Sequence, residues 1–254
     1  MKNKIKNVIE VNKLTIGYSD RIILDKLDFF VKEGEIFVIL GGSGCGKSTL
    51  LKHIIGLYEP FSGDILIQGK SIVNSSERVR DKMSREFGVL YQSGALFSSM
   101  TLAENVAFPL REFTDLSDTV IDGITKLKLN LVGLSGFENF APSEISGGMK
   151  KRAGLARAMV LDPQILFFDE PSAGLDPISS AELDRLLLEL RDSLGCTMVI
   201  VTHELDSIFT VADRVIVLDK NRKGIVESGD PRFLKENSKN KWVREFLNRS
   251  NLRG

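Results

Sequence analysis

Cysteine is nearly missing from this chain: two residues in 254, one of them inside a glycine-rich loop. That is too few for a disulfide framework, so the fold must be held by its own core. Long apolar runs are missing as well, and no uninterrupted stretch approaches the ~20 residues of a membrane-spanning helix. The first residues, Met1-Lys2-Asn3-Lys4-Ile5-Lys6, are basic but are not followed by the apolar core of a secretory signal. No excess of either charge is present: 34 Lys and Arg balance 34 Asp and Glu, for a net charge of zero. A protein that grips a phosphate backbone usually carries a basic excess or stripe, so nucleic acid is not an expected partner. There is no internal repeat and no low-complexity linker. What remains is 43% hydrophobic and 27% charged, the composition of a globular protein expected in the cytosol.

One stretch stands out. Gly41-Gly42-Ser43-Gly44-Cys45-Gly46-Lys47-Ser48-Thr49 fits the pattern G-x-x-x-x-G-K-[ST], a phosphate-cradling loop. It follows a buried-strand run, Glu35 to Leu40, and precedes an apolar helical stretch expected over 50–57. Glycines let the backbone turn its N–H groups inward, where a helix N-terminus already favours anions. Lys47 brings a point charge for the outer phosphates, and the Ser48 hydroxyl is a ligand for Mg²⁺. The loop implies a nucleoside triphosphate. Cys45 beside Lys47 is either a thiol of depressed pKa, reactive as thiolate, or a small residue filling its slot.

Read in order, the chain offers strands over 8–18 and 22–32, a short strand over 63–69, a charged helix over 77–86 and a strand over 87–91. From 93 to 160 the pattern is helical, with Leu102, Val106, Leu116, Val120, Ile124 and Leu127 at helix-like intervals and Pro109 and Pro142 as punctuation. Strands return at 165–168, 196–201 and 214–218, alternating with helices at 180–193 and 204–211. Alternation of this kind implies a mostly parallel sheet with helices on both faces. The expected fold is an α/β P-loop core opened by antiparallel strands and interrupted by a helical insertion.

A second anchor is Phe167-Phe168-Asp169-Glu170. Adjacent carboxylates at the C-terminal end of a buried strand lie where open α/β sheets hold their ligands. Asp169 is placed to serve Mg²⁺ directly or through water, and Glu170 to polarise the water that attacks the terminal phosphate. A third is Ser146-Gly147-Gly148, opening a helix and offering another anion-binding N-terminus.

Together these residues resemble the ATP-binding-cassette (ABC) ATPases, over about residues 8 to 230. The resemblance implies that Tyr18 stacks on adenine and that Gln92 senses Mg²⁺ and the membrane partner. It makes 145–149 the signature segment, with Met149 in place of the usual glutamine. Ser172 to Asp176 become a dimer-contacting loop, and His203 the switch histidine beside the catalytic Glu170. Ser146, Gly147 and Gly148 would then close over the γ-phosphate held by a second cassette. One loop and one signature per chain imply a homodimer, or a pair with another ATPase, two ATP–Mg²⁺ being held head to tail.

The segment after Gln92, with Gly94-Ala95-Leu96-Phe97 and Asn105-Val106-Ala107-Phe108-Pro109-Leu110-Arg111-Glu112, resembles the ATPases of MCE-type (Mla) phospholipid transporters. That branch implies an integral membrane permease and an MCE-domain lipid-binding subunit as partners. It places the chain on the cytoplasmic face of the inner membrane. Other ABC systems (amino-acid import, lipoprotein release) and soluble cassettes of DNA repair or translation are the alternatives. Leu96 and Phe97 line either a groove for a permease helix or the core of the insertion. The expected division is a core with its β subdomain (8–92 and 161–230), a helical subdomain (93–160) and a helical tail (231–254). That tail, with Trp242, Val243, Phe246 and Leu247 at helical spacing, packs on its own domain or clasps a partner.

Overall fold

The computed structural model describes residues 6–248. The basic residues 1–5, and 249–254 with Arg249 of the tail, lie outside the described residues.

Two sheets form the frame. Strands β1 (Asn7–Tyr18) and β2 (Arg21–Lys32) pair antiparallel, and after β3 (Ile36–Gly41) and α1 (Lys47–Ile54) the chain adds β4 (Ser62–Ile67) and β5 (Lys70–Ser71). These give a four-stranded sheet of order β2-β1-β4-β5. Helix α2 (Glu77–Ser84) leads into β6 (Phe87–Leu90), and helices α3 (Leu102–Phe113), α4 (Asp118–Leu131) and α5 (Gly147–Ala158) follow. The chain then runs β7 (Ile165–Asp169), α6 (Pro177–Leu194), β8 (Thr197–Thr202), α7 (Leu205–Val211), β9 (Arg214–Asp219) and β10 (Gly224–Gly229). Helices α8 (Pro231–Asn237) and α9 (Lys241–Leu247) end the described chain. The second sheet has the order β10-β9-β3-β8-β7-β6, parallel except for β10.

Alternation explains how the central strands can be apolar throughout. Ile36, Val38 and Leu40 of β3 face one core with Met198, Ile200, Leu166 and Phe168. Phe37 and Ile39 face the other with Val199, Val201, Ile165 and Phe167. With both faces covered, no polar face is needed.

Several expected boundaries move. Helix α1 starts at Lys47 and ends at Ile54, because the phosphate loop itself supplies the first turn and Gly56 takes a left-handed φ of 76°. Helix α6 begins at Pro177, since Asp176 accepts from the N–H groups of Ile178 and Ser179, both at 3.0 Å. Pro109 does not punctuate: α3 runs through it to Phe113, started by a Thr101–Glu104 capping box. Leu116, expected at a helical position, lies in the loop between α3 and α4, 41% exposed, and Val120 and Leu127 follow helical spacing on the outer face of α4, 45% and 56% exposed. Helix α4 buries Ile121, Thr125, Lys128 and Leu129 instead. The antiparallel edge strand β10 had no counterpart in the sequence reading.

Candidate active site

The C-terminal ends of four parallel strands converge on one cleft of about 560 Å³, lined among others by Gly41, Ser43, Gly44, Lys47, Ser48, Gln92, Glu170 and His203. Strand β3 delivers the loop, β7 delivers Asp169 and Glu170, β8 delivers His203, and Gln92 follows β6. Gly46 caps α1 at φ 102°, and a Cβ there would stand 2.7 Å from Ile23, so glycine is required on two counts.

Lys47 is buried at 8% exposure, and its ammonium donates to the carbonyl of Gly41 at 3.0 Å. It lies 3.9 Å from Glu170 Oε1. His203 Nδ1 is 2.9 Å from both carboxylate oxygens of Glu170, whose backbone N–H donates to Val201 O at 2.8 Å. Glu170 has φ 50°, a left-handed conformation that costs a non-glycine residue about 1–3 kcal/mol and persists only where its surroundings enforce it. The carboxylate is thus held between a lysine and a histidine at the cleft wall.

The residues proposed for Mg²⁺ fit the ion. Ser48 Oγ donates to Asp169 Oδ1 at 2.8 Å, so a hydroxyl and a carboxylate already converge at the mouth of the loop. Hard oxygen donors of this kind, few in number and completed by phosphate and water, are the set Mg²⁺ prefers. Gln92 borders the same cleft.

Beyond the loop a second cleft of about 690 Å³ is lined by Tyr18, Ile22, Gly44, Cys45, Gly46, Thr49 and Lys220. Tyr18 is 43% exposed, its hydroxyl 3.3 Å from Thr49 Oγ1 and its ring edge-on to Tyr58 at 5.5 Å. A flat base and a polyphosphate therefore have separate spaces on either side of one loop.

Ser146, Gly147 and Gly148 do not line that cleft. Ser146 caps α5, accepting from Met149 N at 3.2 Å, and both Ser146 and Gly147 are exposed. Accepting leaves the hydroxyl proton free to donate outward. Met149 packs its side chain against its own core.

Cys45 fits the reading of a small residue filling its slot, and not that of a reactive thiolate. It is 2% exposed, and burial pushes its thiol up from its ordinary value, overriding the pull of Lys47. Three residues of the site escaped sequence reading. Lys151 is buried on α5 and donates to the carbonyls of Glu170 and Ala173. Its position on a face with Gly154, Leu155 and Ala158 was a legible signal, a charge on an apolar stripe. Arg157 donates to Gly94 O at 3.2 Å and covers the Phe97 ring at 5.5 Å. Phe246 of α9 forms part of the cleft wall, and no signal ties it to Glu170.

A family model described as ABC transporter matches residues 24–173, more than half of the chain. The chain belongs to the ABC transporter family. Within it, the chain is an ATP-binding cassette. Among curated relatives it is 46% identical to the probable ribonucleotide transport ATP-binding protein mkl of Mycobacterium tuberculosis, over 94% of this chain and 66% of that protein. It thus spans just under two thirds of the mycobacterial relative. It is 42% identical to the intermembrane phospholipid transport ATP-binding protein MlaF of Haemophilus influenzae, over 95% of this chain and 90% of that one. Among solved structures, cbiO1 of Clostridium perfringens, part of the ABC transporter complex cbiONQ, has a TM-score of 0.84 at 30% identity, covering 97% of this chain and 95% of that one. The dimeric cassette MJ0796 bound to ADP and Pi has a TM-score of 0.79 at 27% identity, covering 87% and 98%.

Proposed function

We propose that this cassette hydrolyses ATP to energise a membrane transporter that moves phospholipids between inner and outer membranes. The observation that carries the catalytic part is the convergence of Lys47, the Ser48–Asp169 pair and the Glu170–His203 couple on one cleft. The loop N–H groups and Lys47 take the phosphates, with adenine against Tyr18. Ser48, Asp169 and Gln92 hold Mg²⁺, which neutralises phosphate charge when bound. Glu170 orients a water and draws on its proton as its oxygen attacks the γ-phosphorus, and the bond to the departing ADP oxygen breaks. His203 holds Glu170 and the γ-phosphate side of the cleft.

Exposure of Ser146 and Gly147 outside the chain's own cleft supports a head-to-tail dimer in which the signature completes a second copy's site. The dimeric form of MJ0796 supports the same reading. Among the described residues no helix is long and apolar enough to cross a membrane. A separate permease then supplies the membrane path, with the cassette peripheral on the cytoplasmic face. Phe97 is 44% exposed and rests on Phe108 at 5.2 Å, in a loop tied to α3 by the buried Asn105, which favours a permease-docking edge over plain core at that point. The phospholipid cargo and the MCE-domain subunit rest on the likeness to MlaF. The mkl relatives, named for ribonucleotide transport, give ribonucleotide as the second reading.

Glu170→Gln should retain ATP and lose turnover. Hydrolysis by that variant at the wild-type rate would remove Glu170 from the catalytic role. Purification from detergent-solubilised membranes, with mass spectrometry of proteins and lipids, tests the branch. An MCE-domain partner supports it, and a periplasmic solute-binding protein in its place sinks it.

A further inference from the structure

Lys151 is an ammonium buried where no carboxylate pairs with it. It is 5% exposed, and among the described residues it makes no ion pair within 4 Å. Its partners are two backbone carbonyls, Glu170 O at 3.2 Å and Ala173 O at 2.8 Å. Burying a charge is unfavourable unless its surroundings satisfy it, so two carbonyls aimed at one ammonium form a built contact. Burial lowers the pKa of Lys151, and the charge of Glu170 works against that.

What the contact holds is specific. Glu170 sits in the left-handed region, and that conformation sends its carbonyl toward α5 while its carboxylate meets His203 and Lys47. The residue is tied on one side by Val201 O, on the other by Lys151, and a flip of its peptide would withdraw the carboxylate from the cleft. Ala173 belongs to the loop that runs into α6, so the same ammonium also sets where that loop leaves β7. Helix α5, which carries Lys151, opens on the exposed cap Ser146 and the exposed Gly147, with the half-buried Gly148 next.

We propose that Lys151 is a positioning residue that aims the chain's own catalytic carboxylate and ties it to the helix whose N-terminus the chain presents to a second copy. This rests on the reading of Glu170 as the catalytic carboxylate. Docking of a partner nucleotide on Ser146–Gly148 and the setting of Glu170 are then mechanically joined within one chain, through four residues of one helix.

The test measures steady-state ATP hydrolysis and nucleotide retention by the full chain, as isolated from its membranes, in the variants Lys151→Met, Lys151→Arg and Glu170→Gln. Lys151→Met should lower kcat about tenfold or more while KM for ATP stays within about threefold, since the phosphate loop is untouched. The nucleotide it retains should be ATP rather than ADP. Lys151→Arg, which keeps a charged donor, should recover kcat to within about threefold of wild type. If Lys151→Met does not melt cooperatively, Lys151→Gln supplies the same comparison. A rise in KM at unchanged kcat, or a Lys151→Arg variant as slow as Lys151→Met, overturns the proposal. Wild-type turnover by Glu170→Gln overturns the underlying reading instead, whatever Lys151 does.

Discussion

Gly154 offers a prediction whose sign is decided by competing magnitudes. It lies buried in the middle of α5, and a Cβ built there would meet Leu90 Cδ1 at 2.8 Å, Gly94 O at 2.9 Å and Gly94 Cα at 3.1 Å. The leucine methyl can swing away. The Gly94 backbone cannot do so freely, because its N–H donates to Tyr91 O at 2.8 Å and its carbonyl accepts from Arg157. Ordinary contact begins near 3.4 Å, so helix and loop must part by about 0.5 Å. Overpacking of this kind costs about 1–3 kcal/mol, whereas alanine returns about 1 kcal/mol of helix propensity. Gly154→Ala should therefore lose about 1 kcal/mol net, a fall in Tm of roughly 2–4 °C for a chain of this size. Gly123, exposed within α4 with no atom within 4 Å of its built Cβ, is the control. There the same substitution should gain about 1 kcal/mol and raise Tm by a similar amount. Thermal and urea melts of both variants measure the difference. Equal stability of the two would refute the account of how α5 seats on the Gly94 turn.

The remaining predictions are shorter. Both cysteines are buried, at 2% and 5% exposure, with thiols pushed up by burial. Iodoacetamide near neutral pH should leave the native chain unlabelled over the time in which the denatured chain takes up two labels. Rapid native labelling of Cys45 would restore the thiolate reading. Asp184 is buried, accepts from Ser207 Oγ at 2.5 Å, and has its pKa raised by burial. A raised carboxylate binds its proton more tightly in the native state, so its contribution to stability falls as pH rises from the ordinary carboxylate range through the raised value. Asp184→Asn should therefore raise Tm at neutral pH, with the gain vanishing below the ordinary range. A gain unchanged at low pH would exclude titration as its cause. Met149→Gln should change turnover by less than about tenfold, roughly 1.4 kcal/mol in the barrier, because Met149 turns inward while Ser146 and Gly147 face out. A larger change assigns the missing amide a role.

What could be read from the residues divides along physical lines. The central strands were legible because a strand buried on both faces must be apolar throughout, as 36–40 and 165–168 are. The phosphate loop and the acid pair were legible because their chemistry demands particular residues at fixed spacing. Helix starts were less so: Lys47 and Asp176 begin helices through capping and loop geometry that periodicity does not encode. Strand β10 was missed because its residues are only partly buried and form an edge, where alternation is weak. The outward stripe of α4 shows that spacing reveals a helix without saying which side meets the core. The two readings of Cys45 could not be separated from sequence, because proximity to Lys47 is visible there and burial is not.

Phe246 lies on α9, 76 residues beyond Glu170 along the chain, yet the two border the same cleft. Coupling between binding events is reciprocal: if holding the tail alters the grip on ATP by some factor, ATP alters the grip on the tail by the same factor. Under such coupling, amide exchange in α9, whose Val243 and Leu247 anchor it in the core, would gauge nucleotide occupancy. A subunit that seized this helix would act on the ATPase without touching a phosphate.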